Sequence, residues 1–261
     1  MKFATWNINN IRKRLPLLRA WLESTRPDVV ALQELKTTDA DFPHTELLTA
    51  GYRCLCVGEK SWNGVALLTR DSEPVEIRRS LPGNRAARQA RSLEAAINGV
   101  IVASIYLPNG NPQPGSKFDY KLAWFERLIK HAASLAKTGH PVVLAGDYNV
   151  VPSDQDIYSP ARWLDNALLQ PRPWEAYARL LRQRWTDSIR MFHQKQAPYT
   201  FWDYRRKRWQ RDAGLRIDPL LVSQSLQPRL PDAGVDKAMR GMENASDHAT
   251  AWIVLSGQRR A

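Results

Sequence analysis

The sequence predicts an α/β fold in which two β-sheets pack face to face with helices outside them. Three observations predict it. Short apolar runs rich in Val and Ile alternate with amphipathic stretches along the chain. Two of those stretches carry apolar residues at helical spacing, and each sits between strand runs, one in each half. No domain-separating linker and no internal repeat interrupts the 261 residues, so residues 1–261 are read as one domain.

The first strand run is Lys2–Trp6. A helix follows from Ile11 to Ser24, with Ile11, Leu15, Leu18 and Leu22 on one face. Strand runs then recur at Asp28–Gln33, Tyr52–Val57, Gly64–Thr69, Ser92–Ile97 and Val100–Leu107. The second helix covers Lys117–Lys137, where Phe118, Leu122, Phe125, Ile129, Ala132 and Ala136 form a core-facing stripe. After a strand at Val142–Ala145, the stretch Asp154–Trp174 carries Pro160, Pro171 and Pro173. It reads as an irregular connection with a short helix near Ala161–Leu169. The last strand runs are Leu215–Val222 and Thr250–Leu255, and Gly257–Ala261 reads as a disordered tail. Cys54 and Cys56 are expected to point to opposite faces of their strand and to stay reduced and unpaired.

Charge narrows the partner. Lys and Arg number 38 against 26 Asp and Glu, a formal +12 with a pI near 10. Such a surface attracts polyanions, meaning nucleic acid or an anionic membrane. No segment has the make-up of a signal peptide, and no apolar stretch is long enough to span a membrane. A cytoplasmic protein is expected.

Carboxylates and amides cluster where strands end. Asn7 follows the first run, Glu34 the second, and Asp147 with Asn149 follows Val142–Ala145; Tyr106 stands near the end of Val100–Leu107. Asp218 interrupts Leu215–Val222, and Asp247-His248 precede the last strand. In a sheet sandwich several strand ends meet at one rim, where loops assemble a site from distant parts of the chain. Any one of these residues could simply cap a turn. Glu34 resists that explanation, because an unpaired carboxylate after a buried strand is costly. Hard oxygen donors without a thiolate suit Mg²⁺, which takes one or two carboxylates together with substrate phosphate oxygens. Zinc spacing is absent. The combination suits phosphodiester hydrolysis.

These residues lie in segments similar to the exonuclease III family of AP endonucleases, within the DNase I-like endonuclease/exonuclease/phosphatase group. The segments are Thr5-Trp6-Asn7-Ile8-Asn9, Leu32-Gln33-Glu34-Leu35-Lys36, Asn63-Gly64-Val65-Ala66, Tyr106-Leu107-Pro108-Asn109-Gly110, Gly146-Asp147-Tyr148-Asn149, Tyr199-Thr200-Phe201-Trp202-Asp203-Tyr204, Gly214-Leu215-Arg216-Ile217-Asp218 and Ser246-Asp247-His248. They occur in the family's order and span nearly the whole chain.

The resemblance implies a four-layer sandwich, two mostly antiparallel sheets inside and helices outside. It implies Mg²⁺ as cofactor, with Mn²⁺ as a substitute. Glu34 would be the principal ligand, with Asn7 and Asp247 close to the metal and Asp147 and Asn149 alongside. Asp147 would orient or deprotonate the attacking water, and Asn149 would hydrogen-bond the pentacovalent transition state. Tyr106 would lie near the scissile phosphate, and His248, oriented by Asp218, would contact a phosphate oxygen. Asn109 would contact backbone phosphate. Phe201 and Trp202 would lie beside the pocket for an extruded abasic sugar, with Leu215 and Ile217 lining it. Arg205 and Arg206 open a run of five cations in seven residues, up to Arg211, suited to gripping phosphates.

Asp212, Pro219 and Thr250 depart from the family pattern; Asp212 would bring negative charge near DNA, and Pro219 removes a backbone donor. The expected partner is double-stranded DNA, abasic or 3′-blocked, with no membrane, no obligate protein partner and a monomeric state. The expected activities are AP endonuclease, 3′–5′ exonuclease and 3′-phosphatase or phosphodiesterase in base excision repair. Two alternatives stand beside this: a phosphodiesterase of the same fold acting on a lipid or inositol phosphate, and a non-catalytic nucleic-acid-binding relative.

Overall fold

The computed structural model describes residues 1–83, 89–195 and 198–257. Within the expected tail Gly257–Ala261, residues 258–261 lie outside the described residues. The first half of the chain runs β1 (Lys2–Asn7), α1 (Ile11–Thr25), β2 (Val29–Gln33), α2 (His44–Thr49), β3 (Tyr52–Val57), β4 (Val65–Arg70), β5 (Val75–Arg78) and β6 (Ser92–Ile97). The second half runs β7 (Val100–Tyr106), α3 (Ser116–Lys137), β8 (Val142–Asp147), α4 (Pro171–Leu181), β9 (Thr186–Asp187), α5 (Ser188–Phe192), β10 (Leu220–Val222), β11 (Asp232–Asp236) and β12 (Thr250–Val254).

Two six-stranded sheets result, ordered β11-β12-β1-β2-β4-β3 and β5-β6-β7-β8-β10-β9. Their inner faces share one apolar core, including Val29, Val65, Leu93, Val102, Val143 and Leu220. On the outer face of the first sheet, Ile11, Leu18, Trp21 and Leu22 of α1 pack against Ala4, Trp6, Val30 and Leu32. On the outer face of the second, α3 and α4 bring Phe125, Leu128, Tyr177 and Leu180 against Ala103, Ile105 and Leu144. The layers are therefore helix, sheet, sheet, helix, as the periodicity and the resemblance lead one to expect.

Each sheet has one parallel pair, β1 with β2 and β7 with β8, and the other pairings are antiparallel. A parallel pair needs a crossover, and α1 and α3 supply it. Both crossovers bring two strand C-termini side by side. Asn7 pairs with Gln33 and Tyr106 with Asp147 at the ends of these registers. The rim of the sandwich that holds the candidate site is thus fixed by connectivity.

Several elements differ from the sequence expectation. Asp154–Trp174 contains short 3-10 turns at Asp154–Asp156 and Pro160–Arg162, with no helix over Ala161–Leu169. A full α-helix, α4, begins at Pro171, because proline at the first helical position loses no intrahelical bond. Reading Pro171 and Pro173 as breakers missed that role. Leu215–Val222 forms a regular strand only over Leu220–Val222, after Pro219, while Leu215 makes isolated bridges to Ile157 and Phe201. The half-exposed β5, the two-residue β9, and β11 were too short or too polar to stand out. Cys54 and Cys56 are free thiols, but they share one face, as residues two apart on a strand must. Burial pushes both thiols up to about 12. Among the described residues no helix is long and apolar enough to cross a membrane.

Candidate active site

The two parallel pairs deliver Asn7, Glu34, Tyr106 and Asp147 to one rim. Asn7 is fully buried, and its Nδ2 donates to Glu34 Oε1 at 3.0 Å and to Asp147 Oδ2 at 3.0 Å. One amide from the first sheet therefore holds a carboxylate from each. Tyr106 OH donates to Glu34 Oε1 at 2.8 Å, and Lys36 Nζ lies 2.9 Å from Glu34 Oε2. Burial alone would raise the Glu34 carboxyl. The Lys36 charge and the bonds from Asn7, Lys36 and Tyr106 outweigh it and hold the group below its ordinary value. Burial and the Glu34 charge push the Tyr106 phenol well above its own.

Close approach at this rim has a backbone cost. Gly146 precedes Asp147 at φ +155, and a Cβ there would meet the Ile105 carbonyl oxygen at 1.9 Å. Only glycine lets β8 run this tightly beside β7. Glu34 and Asn149 take left-handed backbone, at φ 53 and 47. Asparagine tolerates that region, whereas for Glu34 it is strain held in place by the surrounding bonds.

Asp147 accepts from the Asn149 backbone N–H at 2.8 Å and from its Nδ2 at 3.1 Å. Burial first, and the Asp218 charge second, push this carboxyl up to about 7. Across the cavity His248 Nδ1 sits 2.9 Å from Asp218 Oδ2, which also accepts from Thr200 Oγ1 at 2.6 Å. Because the carboxylate accepts at Nδ1, that nitrogen carries the hydrogen, and Nε2 faces Asp147 at 4.0 Å. Burial works against the imidazolium, but Asp218 more than offsets it, so His248 is pushed up to about 10. Asp247 Oδ1 accepts from Asn9 Nδ2 at 2.8 Å, and Asn9 in turn accepts from Lys36 Nζ at 2.6 Å.

Glu34, Tyr106, Asn109, Asp147, Asn149, Asp247 and His248 all line one cavity of about 280 Å³. Asn166, Trp163, Leu168, Phe201, Asp203 and Ile217 complete its wall. The donor set fits a hard divalent cation: four carboxylates, Glu34, Asp147, Asp203 and Asp247, line the cavity with no thiolate among them. Asp147, Asp218 and His248 also lie within 4.8 Å of one another. That trio is better read as a hydrogen-bonded relay, because Asp218 is fully enclosed and committed to His248 and Thr200. Asn7 and Asn149 turn their amino groups to the carboxylates, while their carbonyl oxygens accept from Asn9 N and Asn109 Nδ2. They hold the carboxylates in place.

Other expected residues fall less neatly. Phe201 lines the cavity, but Trp202 is buried behind it. Its Nε1 donates to Asp212 at 3.0 Å, its ring meets Trp209 edge-on at 5.0 Å, and a Cβ on Gly214 would strike it at 2.6 Å. Leu215 is likewise fully enclosed in the cluster behind Phe201. Residues adjacent in sequence on extended backbone face opposite ways, so Phe201 and Trp202 could not both face the pocket. Arg205, Arg206 and Lys207 are exposed, whereas the Arg208 guanidinium turns inward over the Tyr158 and Trp163 rings at 5.4 and 4.8 Å. Asp212 pairs with Lys237 at 2.8 Å, so its charge is compensated. Thr250 Oγ1 is buried without a partner.

Sequence reading passed over Lys36, Asn9, Thr200, Trp163 and Lys121. Lys121, a lysine inside the apolar stripe of α3, was detectable as an interruption of the pattern. It is fully buried, donates to the carbonyls of Asn109, Asn149 and Ala167, and is pulled down to about 7 by burial.

Residues 4–248 match the Endonuclease/Exonuclease/phosphatase family. An exodeoxyribonuclease III from Haemophilus influenzae is 36% identical over 266 residues, covering 97% of this chain and 98% of its own. The structure of the 3′ phosphatase NExo from Neisseria, bound to a product DNA hairpin, superposes with a TM-score of 0.95 at 36% identity. It covers 98% of this chain and 100% of that one. An AP endonuclease from Archaeoglobus fulgidus superposes with a TM-score of 0.94 at 31% identity, over 98% and 100% of the two chains. The family is divalent-metal-dependent, in keeping with the carboxylates that line the cavity.

Proposed function

The chain belongs to the endonuclease/exonuclease/phosphatase family and is a nuclease of the exodeoxyribonuclease III and AP endonuclease type, and on that premise we propose that it hydrolyses phosphodiesters in damaged double-stranded DNA with Mg²⁺. Its activities are 3′–5′ exonuclease and 3′-phosphatase action at 3′ ends and incision at abasic sites. The setting is base excision repair, by a cytoplasmic monomer. The names carried by similar proteins support a DNA substrate and each of these activities. One observation carries the chemistry: a buried amide joins Glu34 and Asp147, facing a cationic His248 across the cavity.

Glu34 and Asp247 would hold the Mg²⁺, with Asp147 beside it. When bound, the ion supplies positive charge to the phosphate oxygens and to the departing oxygen. Asp147 takes the proton of the attacking water; burial and the Asp218 charge raise its carboxyl, the direction a general base needs. The Asn149 backbone and Asn7 bonds fix which oxygen points to the water. His248, held charged by Asp218, donates Nε2–H to a phosphate oxygen as negative charge builds. Asn149 and Asn109 face the same phosphate, with the Tyr106 hydroxyl opposite. The deoxyribose rests against Phe201, Ile217, Leu168 and Trp163.

Arg205, Arg206 and Lys207 grip flanking phosphates without reading bases. Trp202, with Trp209 packed on it, supports that loop from below. The DNA-acting names of the similar proteins favour DNA over a lipid or inositol phosphate, and the full acid, amide and imidazole set favours catalysis over simple binding.

The test is a substrate panel on one preparation: nicked duplex with a 3′-phosphate, blunt duplex, abasic duplex and single strand. EDTA-sensitive hydrolysis, abolished by Glu34→Ala, is expected. Hydrolysis insensitive to EDTA, hydrolysis surviving Glu34→Ala, or competition by phospholipid vesicles instead of duplex DNA would overturn the proposal.

A further inference from the structure

We infer that Lys121 is a positioning residue, whose buried ammonium ties the Asn109 loop, the Asn149 loop and the turn at Ala167 into one wall of the cavity. The inference rests on the proposed nuclease reading, in which Asn109 and Asn149 face the scissile phosphate.

The chemistry of Lys121 is unusual for its place. It lies on α3 beside Phe118 and Leu122, which cluster with Ala167. Nothing on that helix face requires a charge, and an ammonium removed from water is costly. Lys121 makes no salt bridge among the described residues. Instead its three N–H groups meet three backbone carbonyls, Asn109 at 3.0 Å, Asn149 at 2.6 Å and Ala167 at 3.2 Å. A lysine has three donors and no acceptor, so its capacity is filled.

Those carbonyls belong to segments 12, 28 and 46 residues away in the chain. Two of them belong to cavity-lining residues, Asn109 and Asn149, and Ala167 adjoins the third, Leu168. An apolar residue at position 121 could fill the volume but could not gather the three. The stem is fitted from above as well. Gly110 takes φ +87, and a Cβ there would lie 2.6 Å from Lys121 Cδ. Asn111 makes a parallel tie, donating to Asn166 Oδ1 at 3.1 Å and accepting from Ala167 N at 2.9 Å. Only Lys121 among these contacts reaches all three segments at once. The opposite half of the site, Glu34 and His248, is fixed by other groups. Losing Lys121 should therefore loosen one wall and leave the other in register.

The experiment uses Lys121→Met and Lys121→Arg in the full chain, with 3′-phosphate removal and hydrogen exchange as readouts. Lys121→Met is expected to lower kcat by roughly tenfold to a hundredfold, the scale of a small misplacement at a reacting centre. Because Lys121 acts through Asn149, adding Lys121→Met to an Asn149→Ala variant should cost little more. A folded Lys121→Met with wild-type kcat, or losses that multiply, would overturn the inference.

Exchange should quicken in residues 107–111, 148–150 and 166–168 and not in β1 or β2; a uniform rise would also overturn it. If Lys121→Met does not fold, Lys121→Arg decides. Its planar fork keeps the charge but cannot converge on three carbonyls, so reduced kcat and the same local exchange are expected. Wild-type kcat and exchange would refute the inference. The exchange readout needs no substrate, so it stands apart from failure of the nuclease proposal itself.

Discussion

Asp218→Asn isolates the charge that holds His248 protonated. The substitution keeps shape and the Thr200 contact while removing the negative charge 2.9 Å from Nδ1. His248 is only 4% exposed, so solvent screens little of that interaction. Its rise from 6.5 to about 10 corresponds to about 5 kcal/mol at about 1.4 kcal/mol per pKa unit. Without Asp218 its largest support is gone while burial still opposes the charge, so the imidazolium should lose its proton at a lower pH than in the wild type. The assay is kcat for 3′-phosphate removal from pH 6 to 10. The wild type should keep its cationic His248 until near pH 10, whereas the variant should lose at least about tenfold at pH 8, with its ratio to the wild type rising toward pH 6. Stability follows the same sign. A folded-state value above the unfolded one stabilises fully below pH 6.5, and the gain fades as pH climbs through about 10. Parallel kcat profiles for variant and wild type would refute the reasoning, since Asp218 would then supply orientation only.

Four further outcomes follow from the structure. Trp202→Ala should cost about 3–5 kcal/mol by opening a buried cavity, seen as a melting-temperature drop of roughly 6–20 °C for a chain of this size. Phe201→Ala, at the half-exposed pocket wall, should instead raise KM for the nicked 3′-phosphate duplex with little change in melting. Replacing Arg205 and Arg206 together with Ala should reduce the slope of log affinity against log salt by about 2, one per lost phosphate contact; an unchanged slope in fluorescence anisotropy titrations would place them off the DNA path. Arg216→Met should destabilise by about 3–5 kcal/mol in urea denaturation, because the guanidinium pairs the buried carboxylates of Asp156 and Asp187 at 2.6 and 2.8 Å, and among the described residues its loss leaves Asp187 without a cation and Asp156 with Arg190 alone.

Much of the site was legible from residue types at strand ends. Glu34, Asp147, Asn149, Asp247 and His248 lie around one cavity because the C-termini of two parallel pairs must share a rim once the sheets pack. The fold class was legible for a related reason: period-two and helical patterns record which face is buried, and burial drives the packing. What the residues could not declare was direction and partnership. Phe201 and Trp202 read as a pair, yet backbone alternation sends one to the cavity and the other beneath the basic loop. Pro171 read as a breaker until a helix start made use of it.

The sequence by itself determined the layers, the polyanion-seeking charge and the oxygen-rich, thiolate-free donor set, all of which depend on local periodicity and composition. Tertiary structure alone decided that Asn7 joins Glu34 to Asp147, that Asp218 keeps His248 charged and that Lys121 gathers three loops. The physical reason is distance along the chain. Hydrogen bonds between residues 12 to 140 positions apart depend on how whole sheets meet, and no local pattern encodes that.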